Sequence, residues 1–232
     1  MEFRVFGKGK DLFGDGLTFW YARDTLKPGP VFGNEEFFSG LAVFLDTYAN
    51  QNGPHGHQHP YISAMVNNGS LKYDHDRDGT HTELAGCEAK FRGVDHPTSI
   101  LIRYNMDTVT VQTDIEGKNE WKECFSVGGV KLPTGYHIGV TAATGDLSDN
   151  HDVISVKTYD LEPGSDNEDR SQIIPSASKF AEHREHVHDL PAKTSGLKIF
   201  FLVLLAIIVV VAAVIGGVWY YKEQQTKRGR FY

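Results

Sequence analysis

Oxygen-bearing side chains spaced two apart after an apolar run are the first residues in this sequence that could do chemistry. The string FLDTYAN puts Asp46, Tyr48 and Asn50 on alternate positions, and YDHDRDG further on supplies Asp74, His75, Asp76 and Asp78. Calcium takes six to eight oxygens from carboxylates, carbonyls, amides and water, so an Asp-x-aromatic-x-Asn turn with a remote Asp suits it. The spacing is not that of an EF-hand loop. In the competing reading DRDG and NQNG are plain hairpin turns, favoured by Asp, Asn and Gly for backbone reasons alone. A third string, HGHQHP, carries His55, His57 and His59. Such a tract could hold zinc or another transition metal, but its place between a turn and the next strand favours a solvated loop.

The elements that must position these residues read as strands. Residues 1–161 contain LTFWYA, LAVFLDTY, YISAMV, SILIRY, TVTVQT, YHIGVTAA and DVISVKTYDL, separated by turn clusters such as KPGP, NNGS, EGKNE and LPTG. Short strands at that spacing predict an all-β, antiparallel sandwich or barrel. TVTVQT alternates, with Val109 and Val111 on one face, whereas SILIRY and LAVFL are continuously apolar, as strands buried on both faces would be.

The chain has 232 residues, of which 40% are hydrophobic and 23% charged, with net charge −7. These fractions belong to a folding chain, and the acidic balance offers no basic stripe for nucleic acid. From Ile199 to Tyr221 there is no charge. At about 1.5 Å per helical residue this stretch exceeds the roughly 30 Å hydrocarbon core of a bilayer. A single transmembrane helix over 199–221 is therefore expected, with Trp219, Tyr220 and Tyr221 as an interfacial belt. Lys222, Lys227, Arg228 and Arg230 outnumber Lys193 and Lys198 on the other flank, which orients tail 222–232 to the cytosol. Between sandwich and span, residues 162–198 are polar and Pro/Gly-marked, as a luminal stalk would be. At the other end, MEFRVF alternates as a strand already under way, and no signal peptide is visible. The expectation is a sandwich whose leader and first strands are missing.

A series of strings then carries a resemblance. GDGLTFWYARD, GPVFG with FLDTYAN, YISAMVNNGSLKYDH, TELAGC, KNEWKEC, LPTGY and TGDLSDNHDVIS occur in that order. Together they resemble the L-type (legume-like) lectins of the animal secretory pathway, most of all the vesicular integral membrane lectins, cargo receptors for high-mannose glycoproteins. The resemblance covers residues 3–161 and extends to the single span and the short tail. It implies a legume-lectin-like jelly-roll sandwich that binds Ca2+ and sugar and catalyses nothing.

Residue by residue, Asp46, Tyr48 (through its carbonyl), Asn50 and Asp78 match the family's calcium ligands. Asp15 matches the carboxylate that accepts hydrogen bonds from mannose. Asn50 and His75 match further sugar contacts, and Gly145, Asp146 and Leu147 match the loop that closes over the sugar. Cys87 and Cys124 occupy the positions of the family's disulfide, and an even cysteine count in a luminal domain agrees. Asn68-Gly69-Ser70 is an N-glycosylation sequon, relevant in a luminal domain. The tail, ending Arg230-Phe231-Tyr232, resembles signals that engage vesicle coat proteins, with Gly229 interrupting its basic run.

The function expected is a calcium-dependent receptor for high-mannose N-glycans that moves cargo glycoproteins between endoplasmic reticulum and Golgi, as a single-pass type I membrane protein. With eleven histidines, its binding is expected to respond to mildly acidic pH. Two alternatives stand beside this. A glycoside hydrolase on the same scaffold needs paired carboxylates at roughly 5–10 Å, but Asp46 and Asp78 are claimed by the metal. A truncated membrane protein with impaired sugar binding would leave Cys87 unpaired and Asn68 unmodified in the cytosol.

Overall fold

Strand alternation decides which side chains of this chain face which layer. The computed structural model describes residues 1–10, 12–50, 57–161, 169–178 and 215–217. Two units emerge, Met1–His183 and Arg184–Tyr232. Of the second, residues 215–217 are described, and they are helical. No helix among the described residues is long and apolar enough to cross a membrane. The expected span apart from residues 215–217, the tail and most of the expected stalk lie outside the described residues, as does His55.

The first unit runs β1 (Glu2–Phe6), β2 (Gly16–Ala22), β3 (Ser39–Asp46), β4 (Tyr61–Asn68), a 3-10 turn (His75–Arg77), β5 (Ala85–Glu88), β6 (Thr98–Asn105), β7 (Thr108–Asp114), β8 (Lys122–Val127), β9 (Val130–Lys131), β10 (His137–Ala143), β11 (Asn150–Ser155) and β12 (Ser176–Ala177). The back sheet has strand order β11-β1-β6-β7-β8 and the front sheet β10-β2-β3-β4-β5; β12 and β9 form a small third ladder. The all-β antiparallel sandwich is as expected. Its apolar filling comes from alternate residues of both sheets: Leu17, Leu41, Val43, Leu45, Ile62 and Ala64 from the front, Phe3, Val5, Ile100, Val109 and Val111 from the back.

The front sheet is covered on its other face too. Trp20, Ala42, Phe44 and Met65 point outward and pack under Val31, Phe32, Phe38 and Tyr73 of the long loops. This second layer explains why every residue of β3 is buried. It also positions the site, because the two-residue period that sends Ala42 and Phe44 outward sends Asp46 outward after them. Trp20 anchors the layer edge-on to Phe38 and Phe44, with its Nε1–H donating to Thr141 Oγ1 at 2.7 Å.

SILIRY departs from expectation. In β6, Ile100 is buried but Leu101 is 37% exposed, so the strand buries one face only. Apolar continuity there marks a back sheet whose outer face is partly open. The β6–β7 hairpin turns on Met106 and Asp107, both at positive φ (47° and 55°), the geometry of a two-residue type I′ turn. Residues 169–178, inside the segment read as stalk, return to the sandwich. There β12 pairs with β9 and Arg170 Nη1 reaches Asp107 Oδ1 at 2.7 Å. The Cys87–Cys124 disulfide joins β5 to β8 and so ties the two sheets at one edge. Closing that loop contributes about 3–4 kcal/mol in the chain-entropy view.

Candidate calcium and sugar site

Antiparallel register brings the acidic ends of two loops together. Asp46 ends β3 opposite Tyr61, which begins β4, so the segment just before β4 lies beside Asp46. Asp78 arrives from the loop capped by Tyr73, in the left-handed region (φ 50°) where Asp is tolerated and the chain reverses after the 3-10 turn. Both carboxylates are buried, at 6% and 3% exposure. The loop that follows β3 wraps around them: Tyr48 N–H donates to Asp46 Oδ1 at 2.9 Å, and Asn50 N–H donates to Asp78 Oδ1 at 2.8 Å.

Two buried acids whose donor atoms lie within 4.8 Å of each other repel. Burial pushes the Asp46 carboxyl above its usual range, although His59 and the Tyr48 N–H oppose this, and Asp78 adds to the rise. Tyr73, beside them, is pushed well above the ordinary phenol value by burial and then by the negative charge of Asp46 and Asp78. A divalent cation with oxygen ligands is the chemistry that such a pair fits, with loop 46–50 free to contribute carbonyl and amide oxygens.

The sugar candidates assemble next to this pair. Asp15 lies in the turn before β2, and its carbonyl accepts from both the N–H and the Oγ1 of Thr47, each at 2.9 Å. The residue between Asp46 and Tyr48 thereby locks the two loops in fixed relation. Gly145 sits across from Asp15: a Cβ built there would lie 3.6 Å from Asp15 Oδ2. Gly145, Asp146 and Leu147 form a turn in which Gly145 N–H donates to Leu147 O at 3.1 Å, with Gly145 and Asp146 exposed. His75 stacks edge-on against Tyr73, ring centroids 4.7 Å apart, and its buried Nε2 has no hydrogen-bond partner. Asn50 is exposed at the rim. Asn68 is exposed at the end of β4, where Ser70 Oγ–H donates to its Oδ1 at 2.5 Å.

Two features escape the sequence reading. The solvated-loop expectation fails for His57 and His59, whose side chains are 19% and 4% exposed. His57 stacks on Tyr61 at 3.8 Å and pairs with Glu83 at 3.2 Å. His59 Nε2 stands 3.6 Å from Asp46 Oδ2. The legible signal was the hairpin register, which carries a residue two before Tyr61 back alongside the end of β3. The other feature is Arg92, whose Nε and Nη2 clamp Asp149 at 2.6 and 2.7 Å. Arg92 also donates to Gly9 O at 2.9 Å and lies 3.7 Å over the Phe13 ring. Asp149 N–H in turn donates to Gly14 O at 3.1 Å, so this pair fixes the turn that carries Asp15.

Comparison with known proteins identifies the family of this fold. Residues 1–168 match the legume-like lectin family. The dog vesicular integral-membrane protein VIP36 is 48% identical over 242 residues, covering 100% of this chain and 68% of its own length. Among solved structures, the Ca2+/Man-bound VIP36 exoplasmic/lumenal domain superposes with TM-score 0.73 and 55% identity, over 76% of this chain and 72% of its own. Its Ca2+/Man3GlcNAc-bound form gives TM-score 0.71 and 54% identity over 76% of this chain and 75% of its own. The chain belongs to the legume-like lectin family.

Proposed function

We propose that this chain is a calcium-dependent receptor for mannose-rich N-glycans, carried on secretory-pathway membranes as a single-pass protein that moves glycoprotein cargo between endoplasmic reticulum and Golgi. As a lectin it binds carbohydrate and is not an enzyme. The observation that carries the reading is the buried pair of like charges Asp46 and Asp78, wrapped by residues 46–50 and locked through Thr47 to Asp15. VIP36, a structural relative, has calcium- and mannose-bound forms, which supports the same chemistry here.

In this reading Asp46, the Tyr48 carbonyl, Asn50 and Asp78 hold calcium. When bound, calcium cancels the repulsion between the two acids and stiffens the loop, so that less ordering entropy is lost on binding sugar. Asp15 then accepts hydrogen bonds from paired mannose hydroxyls, Asn50 and His75 contact the ring, and Gly145, Asp146 and Leu147 close the far side. A carboxylate and an amide suit hydroxyls because each hydroxyl both donates and accepts. The missing side chain at Gly145 leaves the space beside Asp15 open to a sugar.

Residues 199–221 supply the span, 162–198 a luminal stalk and 222–232 a cytosolic tail that engages vesicle coats. The charge-free length of 199–221 and the name of the vesicular integral-membrane relative support this organisation. Detergent-solubilised chain applied to immobilised mannose tests the reading. Retention in calcium, elution by chelator or free mannose, and flow-through of Asp46→Ala are expected. Passage of the folded wild-type chain through the column in calcium would overturn it.

A further inference from the structure

His59 has the stereochemistry of a metal ligand. Its ring is 4% exposed and lies against Asp46, with Nε2 3.6 Å from Oδ2, beyond hydrogen-bond reach and without a hydrogen-bond partner. The other ring nitrogen is committed. Nδ1 lies 3.1 Å from the His57 carbonyl, and a carbonyl only accepts, so Nδ1 carries the proton. A histidine whose Nδ1–H is held by a backbone carbonyl presents Nε2 as a fixed donor, which is how protein frameworks orient imidazoles toward metals.

The neighbours complete a set. One donor atom each from Asp46, His59 and Asp78 lies within 4.8 Å of the others. Ligands about 2.0–2.1 Å from a tetrahedral ion stand roughly 3.4 Å apart, close to the Asp46–His59 separation and well beyond a hydrogen bond. The donor set of two carboxylates and an imidazole also differs in kind from an all-oxygen site. Calcium takes oxygens, whereas imidazole suits zinc and its first-row neighbours.

We propose that His59 joins Asp46 and Asp78 as a third ligand, making the cation seat of this lectin a site for a first-row transition dication, zinc foremost, in competition with calcium. The proposal rests on the calcium reading only in sharing Asp46 and Asp78. His59 lies just before β4, whereas the 46–50 loop reaches Asp78 through the Asn50 N–H. An ion held by the acids and the imidazole would therefore tie β3, the start of β4 and the Asp78 loop together. His57, paired with Glu83 and stacked on Tyr61, stands outside the set.

The test uses full-length chain in detergent, with Zn2+ and Ca2+ titrated separately by calorimetry and Co2+ as a spectroscopic substitute for zinc. Wild type is expected to bind one Zn2+ that millimolar Ca2+ displaces, and to give Co2+ visible absorption bands of a low-coordinate nitrogen-bearing site. His59→Phe should weaken Zn2+ tenfold or more and abolish those bands, while Ca2+ affinity changes less than threefold. His57→Phe should alter neither. His59→Gln repeats the measurement should the Phe variant fail to give a native circular dichroism spectrum. Zn2+ binding that is unchanged in the His59 variants overturns the proposal and leaves the calcium reading intact. Wild type that binds His59-dependent Zn2+, displaced only by Ca2+ far above millimolar, fails the calcium reading and supports this one. Absence of both ions from a folded wild-type chain overturns both.

Discussion

Two buried ionic clusters flank the turn that carries Asp15, and they are built on opposite plans. In one, Arg92 meets Asp149 with two charge-assisted hydrogen bonds of 2.6 and 2.7 Å, one positive charge for one negative, under the Phe13 ring. In the other, the like charges Asp46 and Asp78 lie side by side, and His59 Nε2 stands 3.6 Å from Asp46 Oδ2 without making a hydrogen bond. Both are nearly inaccessible: the Arg92 and Asp149 side chains are 11% and 0% exposed, those of His59 and Asp46 4% and 8%. Burial of charge therefore does not separate structure from function in this molecule; the sign of the neighbouring charge does. A closed pair of opposite charges holds a turn in place, and an open cluster of like charges favours a cation beside it.

Breaking the closed pair should have the largest effect. Arg92→Met leaves Asp149 buried without a counter-charge, which costs about 3–5 kcal/mol. Urea denaturation of the full-length chain in calcium should report that loss, and mannose retention should fall with it because the Asp15 turn is released. A loss below about 1 kcal/mol would mean that the pair does not hold this turn.

The open cluster should respond in the reverse sense. Asp46→Asn removes half of a repulsive pair, so stability without metal should hold or rise. What should vanish is the gain on adding calcium. Wild type is expected to gain about 2.7 kcal/mol when calcium stands at a hundred times its dissociation constant, and Asp46→Asn close to none, read as the shift in melting temperature between calcium and chelator. An equal calcium-induced shift in both proteins would place the ion elsewhere.

The same contrast explains what the sequence disclosed. Asp46, Tyr48 and Asn50 stood out because strand period and turn chemistry coincide in FLDTYAN, and every apolar run of residues 1–161 became a strand. KECFSV and AGCE escaped notice because short, charged edge strands lack an alternating signal, although their cysteines pair. SILIRY looked buried on both faces because composition cannot tell a covered sheet face from an open one. His59 looked like loop because its burial is produced by pairing with a strand thirteen or more residues earlier. Arg92 and Asp149 are 57 residues apart, and no local pattern links them.

Sugar recognition should separate from metal binding at Asp15. Asp15→Asn keeps the shape but gives up a charged acceptor worth about 1.5–3 kcal/mol, a ten- to hundredfold loss of mannose affinity. Its calcium-induced melting shift should stay as in wild type. Gly145→Ala probes the opposite wall: the new methyl would lie 3.6 Å from Asp15 Oδ2, in ordinary contact. It should therefore cost little stability while reducing mannose affinity by occupying sugar space. Loss of the calcium shift in either variant would show that the two loops cannot be uncoupled.

The smallest effect belongs to a third ionic cluster, more exposed than the other two. Arg170 Nη1 lies 2.7 Å from Asp107 Oδ1 and 2.8 Å from Tyr104 Oη, holding residues 169–178 against the β6–β7 turn. The Asp107 and Arg170 side chains are 29% and 15% exposed, so water screens the pair. Burial opposes ionisation of Asp107, but Arg170 and the Tyr104 hydroxyl together outweigh it and hold the carboxyl below its ordinary value of 3.8. A carboxyl lowered on folding stabilises the fold at pH values above 3.8, and that contribution is lost as acid takes the pH down through the folded-state value. Arg170→Ala should therefore cost about 0.2–1 kcal/mol at neutral pH, and the difference from wild type should shrink progressively below pH 3.8. Acid melts of the two proteins that stay parallel to the lowest pH would assign the strap to β12–β9 pairing rather than to charge.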